Sequence, residues 1–323
     1  MSSRFVDWVS SILTAKTTSI DGTESIPIVN STGTTQKATL ANVIRYGGGS
    51  PRSTTAGNAT VTQDTTGALW LEVAGQTAGN ARGAGSFDWQ AVRLNATYVA
   101  SGENAVTLGK NCQASNQGAI AIGTGCIATG SGSVSLGYAN SSYGMHAFSS
   151  GGVCSASGSY SFATGIRAVA SNSCQAAFGN APGSGQAQGN LQTFYTATTD
   201  ATSTPLSITV TTTDRMVIPA IRACTFIGVV TAMCNVSSSS NFIKSWKIEG
   251  CITRDGSNTT RIVGTPTISV IAQDADGTPT PSTWAIASIT ADDTNESLAI
   301  NVTGQAATTI RWQATLLYSQ VGF

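Results

Sequence analysis

The chain has 323 residues, of which 41% are apolar and only 10% charged, with 35 glycines and one histidine. Sixteen basic side chains balance sixteen acidic ones, which excludes a polybasic nucleic-acid binder or membrane surface, since both need a surplus of Lys and Arg. The apolar fraction excludes a disordered chain, and no run reaches the ~18–20 apolar residues of a transmembrane helix, so no membrane insertion is expected.

Near the start, Phe5, Trp8, Val9, Ile12 and Leu13 recur at the spacing of one helical face. Asp7 interrupts that apolar stretch and no cleavage signature follows, so a secretory signal is not expected. Residues 47–84 are rich in Gly, Thr, Ala and Asn, with Pro51 and few charges. That composition suits a linker or shaft of short strands such as Ala68-Leu-Trp-Leu-Glu-Val.

From Ser101 to Ser184 the sequence divides into six gapless units of fourteen residues. The ninth position is always glycine: Gly109, Gly123, Gly137, Gly151, Gly165 and Gly179. The sixth is Val106, Ile120, Val134, Phe148, Phe162 and Ala176, and the eighth begins Leu108, Ile122, Leu136. An earlier degenerate unit, Phe87 to Ala100, aligns with these through Val92 and Leu94, with Asn95 where the glycine belongs. Apolar residues two apart predict a strand, and the glycine after it supplies a positive φ for a tight corner. Units end mostly in alanine, as at Ala100, Ala114, Ala128, Ala156 and Ala170, which lets a second short strand lie close to the first. One unit is therefore one coil of a β-solenoid, and stacked coils place Val106, Ile120 and Val134 in a ladder about 4.8 Å apart. So thin a coil holds few side chains against an ordering entropy of about 1–2 kcal/mol per residue, so it should pack against copies of itself, three closing around one axis without an open edge. The sequence leaves open whether the ladder faces the roll's own interior or the neighbouring subunits.

Residues 185–204 read as a connector. Beyond it come roughly eight strand candidates, among them Ser245-Trp-Lys-Ile-Glu and a stripe of Ile310, Trp312, Ala314, Leu316 and Tyr318, with Asp255-Gly256 and Asp276-Gly277 as turn markers. These predict an antiparallel β-sandwich.

Catalytic, cofactor and metal-binding residues are not expected. Glycoside cleavage usually needs two carboxylates about 5–10 Å apart, and residues 85–184 hold only Asp88 and Glu103, which fall at positions two and three of adjacent coils. Their plainer role is capping or solvation. His146, the sole histidine, has no nucleophile placed beside it. The seven cysteines show no paired spacing for zinc and read as free thiols; Cys112, Cys126 and Cys154 share position twelve as small stacked hydrophobes, with Asn140 interrupting. Cys224, Cys234 and Cys251 read as core. Asp274, Asp276, Asp292, Asp293 and Glu296 lie in turns, where solvation is a plainer reading than calcium binding. Trp284 and Tyr143 are the aromatics to consider for stacking on sugar rings, with packing the plainer reading for each.

The pattern A-V-x-L-G-x-x-C/A-x-A resembles the head repeats of trimeric autotransporter adhesins, which recur in bacteriophage tail fibres; the resemblance implies a left-handed parallel β-roll and a homotrimer. The stretch Gly79-Asn-Ala-Arg-Gly-Ala-Gly-Ser-Phe-Asp-Trp is similar to the lead-in of such phage fibres. Ile20-Asp-Gly-Thr-Glu-Ser-Ile-Pro-Ile-Val with Thr35-Gln-Lys-Ala-Thr-Leu resembles a hairpin near the virion end of phage fibre proteins. An autotransporter would also need a secretion signal and a membrane anchor, and neither is legible. The expectation is an all-β bacteriophage fibre protein located in the virion. Residues 1–46 form a helix-and-hairpin attachment region, 47–84 a linker or shaft, 85–184 the β-roll of 14-residue coils, 185–204 the connector, and 205–323 an antiparallel sandwich knob. Its partners are its own copies, virion proteins at the N-terminus, and a glycan or protein of the host surface; no nucleic acid is among them. Phe5, Trp8, Val9, Ile12 and Leu13 would dock into the virion, or else pack on their own hairpin. A head fibre or capsid decoration protein is the runner-up, followed by a glycan-cleaving tailspike and a secreted adhesin.

Overall fold

Each repeat contributes one five-residue strand: Val106–Lys110, Ile120–Thr124, Val134–Tyr138, Phe148–Gly152, Phe162–Ile166 and Ala176–Asn180. They pair in parallel with a shift of fourteen, so Val106 lies against Ile120, Ile120 against Val134, and Gly109 against Gly123. Two further parallel strands precede them, Leu69–Val73 and Phe87–Val92, giving a β-solenoid of eight turns. The computed structural model describes residues 25–29, 35–39, 52–56, 59–73, 76–180, 183–209, 214–237 and 240–323. The chain divides into two compact units, Met1–Pro51 and Arg52–Phe323. In the first, Ser25–Val29 and Thr35–Thr39 form an antiparallel hairpin. Phe5, Trp8, Val9, Ile12 and Leu13 lie outside the described residues.

Small residues fill the roll. Positions five and seven of the coils are buried, for example Ala105, Thr107, Ala119, Ala121, Ser133 and Ser135. They face two-residue strands from Gln113–Ala114 to Val169–Ala170 that form a second parallel sheet, whose inner residues Ala114, Ala128, Ser142, Ala156 and Ala170 are fully buried. At positions five and seven of the first five repeats nothing exceeds threonine, whereas Gln175 in the sixth and Asp88 and Gln90 in the earlier coil are buried at the two ends of the roll. Ser133, Ser135, Asn140 and Ser142 make the third coil's interior polar and separate one apolar cluster from the next. Three of these groups bond to the backbone: Ser135 donates to the Asn140 carbonyl at 2.9 Å, Ser142 to the Val134 carbonyl at 2.7 Å and the Asn140 amide to the Gly151 carbonyl at 2.9 Å.

The early unit joins the ladder in a different register. Phe87 pairs with Val106, Asp88 with Thr107 and Trp89 with Leu108, so Phe87 and Trp89 occupy the places assigned to Val92 and Leu94. Val92 falls after a bulge and lies against Lys110, while Leu94, outside the strand, is 70% exposed. This coil is longer than fourteen residues, because an Asn-Ala-Thr-Tyr excursion follows its strand, and a gapless alignment could not register it.

Residues 185–204, read as a connector, carry the strand Ala187–Thr198. It pairs antiparallel with the last coil strand and with Ile310–Gly322. Arg222–Ser237, Ser240–Arg254 and Thr260–Gln273 follow, so the roll and the C-terminal strands share one fifteen-stranded sheet. At the other end Arg52–Ala56 and Ala59–Gln63 extend it antiparallel. A four-stranded sheet of Ser203–Pro205, Met216–Val217, Ala285–Asp292 and Ser297–Thr303 shares one buried cluster with the C-terminal strands, including Phe194, Phe226, Trp246, Ile300 and Trp312. Every member of the Ile310–Tyr318 stripe is buried.

Two acidic groups in this C-terminal half are kept neutral by burial. Burial, with Cys251 nearby, pushes the Cys224 thiol from near 9 up to about 12, and burial raises the Tyr318 phenol. In the unfolded chain both lose protons at ordinary values, so the unfolded state holds fewer protons at alkaline pH. Stability is therefore fully present below about pH 9 and falls as pH rises toward about 12. Calorimetry across that range should show a falling Tm, and Cys224→Ala should flatten the start of the fall; a flat wild-type profile would count against the buried thiol.

Candidate functional site

The largest apolar side chains of the repeat stand outside the roll. In each coil strand the seventh residue points in and the sixth and eighth point out. Val106, Ile120, Val134, Phe148 and Phe162 thus form one outward ladder behind Phe87, and Leu108, Ile122 and Leu136 form another behind Trp89. Leu108 is 40% exposed and Phe178 53%. Ring stacking reinforces the first ladder at Phe148–Phe162, with centroids 5.1 Å apart, and Phe178 of the eighth-position row lies tilted beside Phe162 at 6.2 Å. The sixth and eighth positions of the six coils carry no charge, so neither ladder has an ionic group to keep it in water. A continuous apolar stripe of this kind on a protein surface marks an interaction site.

The glycine column holds the ladders' strands close. Gly123 has φ +125, and a Cβ there would come within 2.0 Å of the Gly137 carbonyl oxygen of the next coil. The same close approach recurs at Gly109, Gly137, Gly151 and Gly165; Gly179, where the roll ends, instead abuts the backbone of Ala168. Position twelve then meets these inward carbonyls. The thiols of Cys112, Cys126 and Cys154 point at the Gly123, Gly137 and Gly165 oxygens at 3.3, 3.2 and 3.3 Å, and the Asn140 amide donates to Gly151 at 2.9 Å. The cysteines are buried, as a small-hydrophobe reading requires, and they also serve as weak donors. Asn140 is thus a donor like its neighbours, a role that spacing alone did not reveal. The adjoining Cys126 thiol and burial push the Cys112 thiol up.

The candidate chemical groups are not brought together. Asp88 lies inside the roll, fully buried. It accepts from Arg82 Nε at 2.9 Å and Arg93 Nη2 at 3.3 Å on one oxygen, and from Thr107 at 2.6 Å and Gln90 at 2.8 Å on the other. Both arginines also reach Glu72, and Arg82 lies over the Trp70 ring at 5.0 Å. Spacing does not reveal this network, because its partners come from separate strands and the loops between them. Glu103 stands at an exposed corner. His146 stacks on Tyr160 with centroids 5.5 Å apart, and Tyr143 is half-exposed. Trp284 is fully buried and donates to Gln305 at 3.3 Å. The C-terminal acids hold turns and partners: Asp292 pairs with Arg215 at 2.7 Å and Glu296 with Arg254 at 3.2 Å, Asp274 accepts from the Ile243 amide and Asp276 from the Ser282 amide, and Asp293 accepts from the Thr260 amide. Among the described residues no group of three His, Cys, Asp or Glu side chains is placed to hold a metal ion.

No protein-family model matches the chain, and no curated protein does. Among solved structures it is similar to the tailspike protein gp49 from Acinetobacter baumannii bacteriophage Fri1, a capsular polysaccharide depolymerase. That likeness has a TM-score of 0.24 at 9% identity, over 77% of this chain and 50% of that one. The chain thus spans about half the length of that tailspike, and a likeness of this size carries no argument about activity.

Proposed function

We propose that the chain is a structural subunit of a bacteriophage fibre, assembled as a homotrimer through the outward ladders of the roll. The N-terminal region of residues 1–46 would attach it to other virion proteins, and the C-terminal pair of sheets would form a sandwich knob that touches a glycan or protein of the host surface. Its role is mechanical and adhesive rather than catalytic; three copies of one modest contact raise avidity without any new chemistry. The observation that carries this reading is the direction of Val106, Ile120, Val134, Phe148 and Phe162: the roll is filled mainly by Ala, Ser, Thr and Cys, and its large apolar groups are left for another surface.

Three-fold packing suits the geometry because each copy offers one straight stripe, and three stripes meeting on an axis leave no edge uncovered. Sedimentation of the purified chain should give a species of three 32.8 kDa subunits. Ile120→Glu/Val134→Glu places charges on the outer face without touching the interior. It should sediment as a monomer with unchanged circular dichroism. A wild-type monomer, or a trimer undisturbed by the two charges, would remove the basis of the reading. Incubation with host surface polysaccharide and a reducing-end assay tests the non-catalytic part, for which release of sugar ends is the contrary result.

A further inference from the structure

The apolar stripe does not stop where the repeat stops. Ala176 pairs with Leu191, Leu191 with Leu317, and Leu317 with Ile227, so the sixth-position ladder runs on across three antiparallel strands. Val229 stands beside it, next to Thr315. Leu191, Ile227, Val229 and Leu317 are 38, 43, 47 and 58% exposed and, with Ile271, line an open groove of about 340 Å³. One strand further the row ends in charge, where Lys247 and Glu249 form an exposed ion pair.

Size distinguishes the short stripe from the long one. Eight parallel strands at about 4.8 Å give a ladder roughly 34 Å long. With two rows of side chains about 10 Å across, that is roughly 350 Å² per copy, shared in a trimer between two neighbours and below the ~500 Å² per partner expected of a specific interface. Three more strands lengthen it to roughly 48 Å and bring the face of each copy to roughly 480 Å², about that size. We infer that the outer face of the antiparallel sheet, over Leu191, Ile227, Val229 and Leu317, is the continuation of the self-association surface and is covered by a second copy of this chain. The inference rests on the assembly proposed above and extends it beyond the repeat. Where the two parts join, the eighth-position row is vacated at Gly189, next to half-exposed Phe178. A groove of about 550 Å³ lies there, a seat for a side chain of the neighbouring copy.

Equilibrium sedimentation of the full chain tests this with three variants. Leu317→Glu/Ile227→Glu should keep wild-type circular dichroism and weaken association roughly a hundredfold, as loss of a central contact does. Retention of wild-type association by that variant while Ile120→Glu/Val134→Glu dissociates would overturn the inference and leave the assembly reading standing. Association in both charged variants would overturn both. Gly189→Trp decides the matter if the charged pair fails to fold, because a Cβ at Gly189 meets nothing within 4 Å in the protomer. Weakened association then supports the covered face, and unchanged association overturns it.

Discussion

Asp88→Asn is expected to destabilise the Arg52–Phe323 unit by about 3 kcal/mol, measured as a lower guanidinium midpoint with an unchanged slope. The carboxylate is fully buried and shared by Arg82 and Arg93, whose side chains are 4% and 0% exposed. Removing its charge leaves two buried guanidinium groups with Glu72 as their remaining carboxylate, and Glu72 is itself partly in water. Breaking a buried pair from one side costs about 3–5 kcal/mol, and the lower end applies because Glu72 stays. Amide exchange should quicken first in Leu69–Val73, Phe87–Val92 and Val106–Lys110, since Asp88 also accepts from Thr107 of the next coil. A loss below about 1 kcal/mol would mean that Glu72 alone compensates both cations.

Trp312→Ala should cost about 3–5 kcal/mol, the range for truncating a buried tryptophan. Trp312 is fully buried, stacks on Trp246 at 5.5 Å, and donates its indole N–H to Thr198 at 3.0 Å. Truncation removes the stack, opens a cavity between the two C-terminal sheets and leaves the Thr198 hydroxyl without its donor. Thermal unfolding should show the loss. Trp312→Phe should recover part of it, because the ring returns but the hydrogen bond does not. Equal stability of Trp312→Phe and wild type would show that the indole donor contributes nothing.

These two residues also mark how legible the chain is. Trp312 sits in an alternating stripe whose period of two is enough to assign it inward, and the stripe is buried throughout. Asp88 occupies the inward seventh position of a coil, where the other coils carry Ala, Ser or Thr. Nothing local marks a carboxylate as buried when its counter-ions come from residues 82 and 93 and its donor from residue 107. The misplacement of Val92 and Leu94 has the same origin. A coil with an excursion breaks the fourteen-residue count, and only pairing across strands restores the register.

The recurrence of glycine, a β-branched or aromatic residue and alanine every fourteen positions was enough by itself to determine a solenoid, its coil length and the tightness of its corners, because φ restrictions and strand periodicity act locally. Which side of the strand faces in was a tertiary decision. Through the middle of the roll, two sheets joined by corners this short are filled almost entirely by Ala, Ser, Thr and Cys, so volume sends the Val, Ile and Phe ladder outward although hydrophobicity alone would place it inside. The same holds for the passage from roll to antiparallel sheet, which depends on Ala176 meeting Leu191 and Leu191 meeting Leu317, a partner more than a hundred residues away.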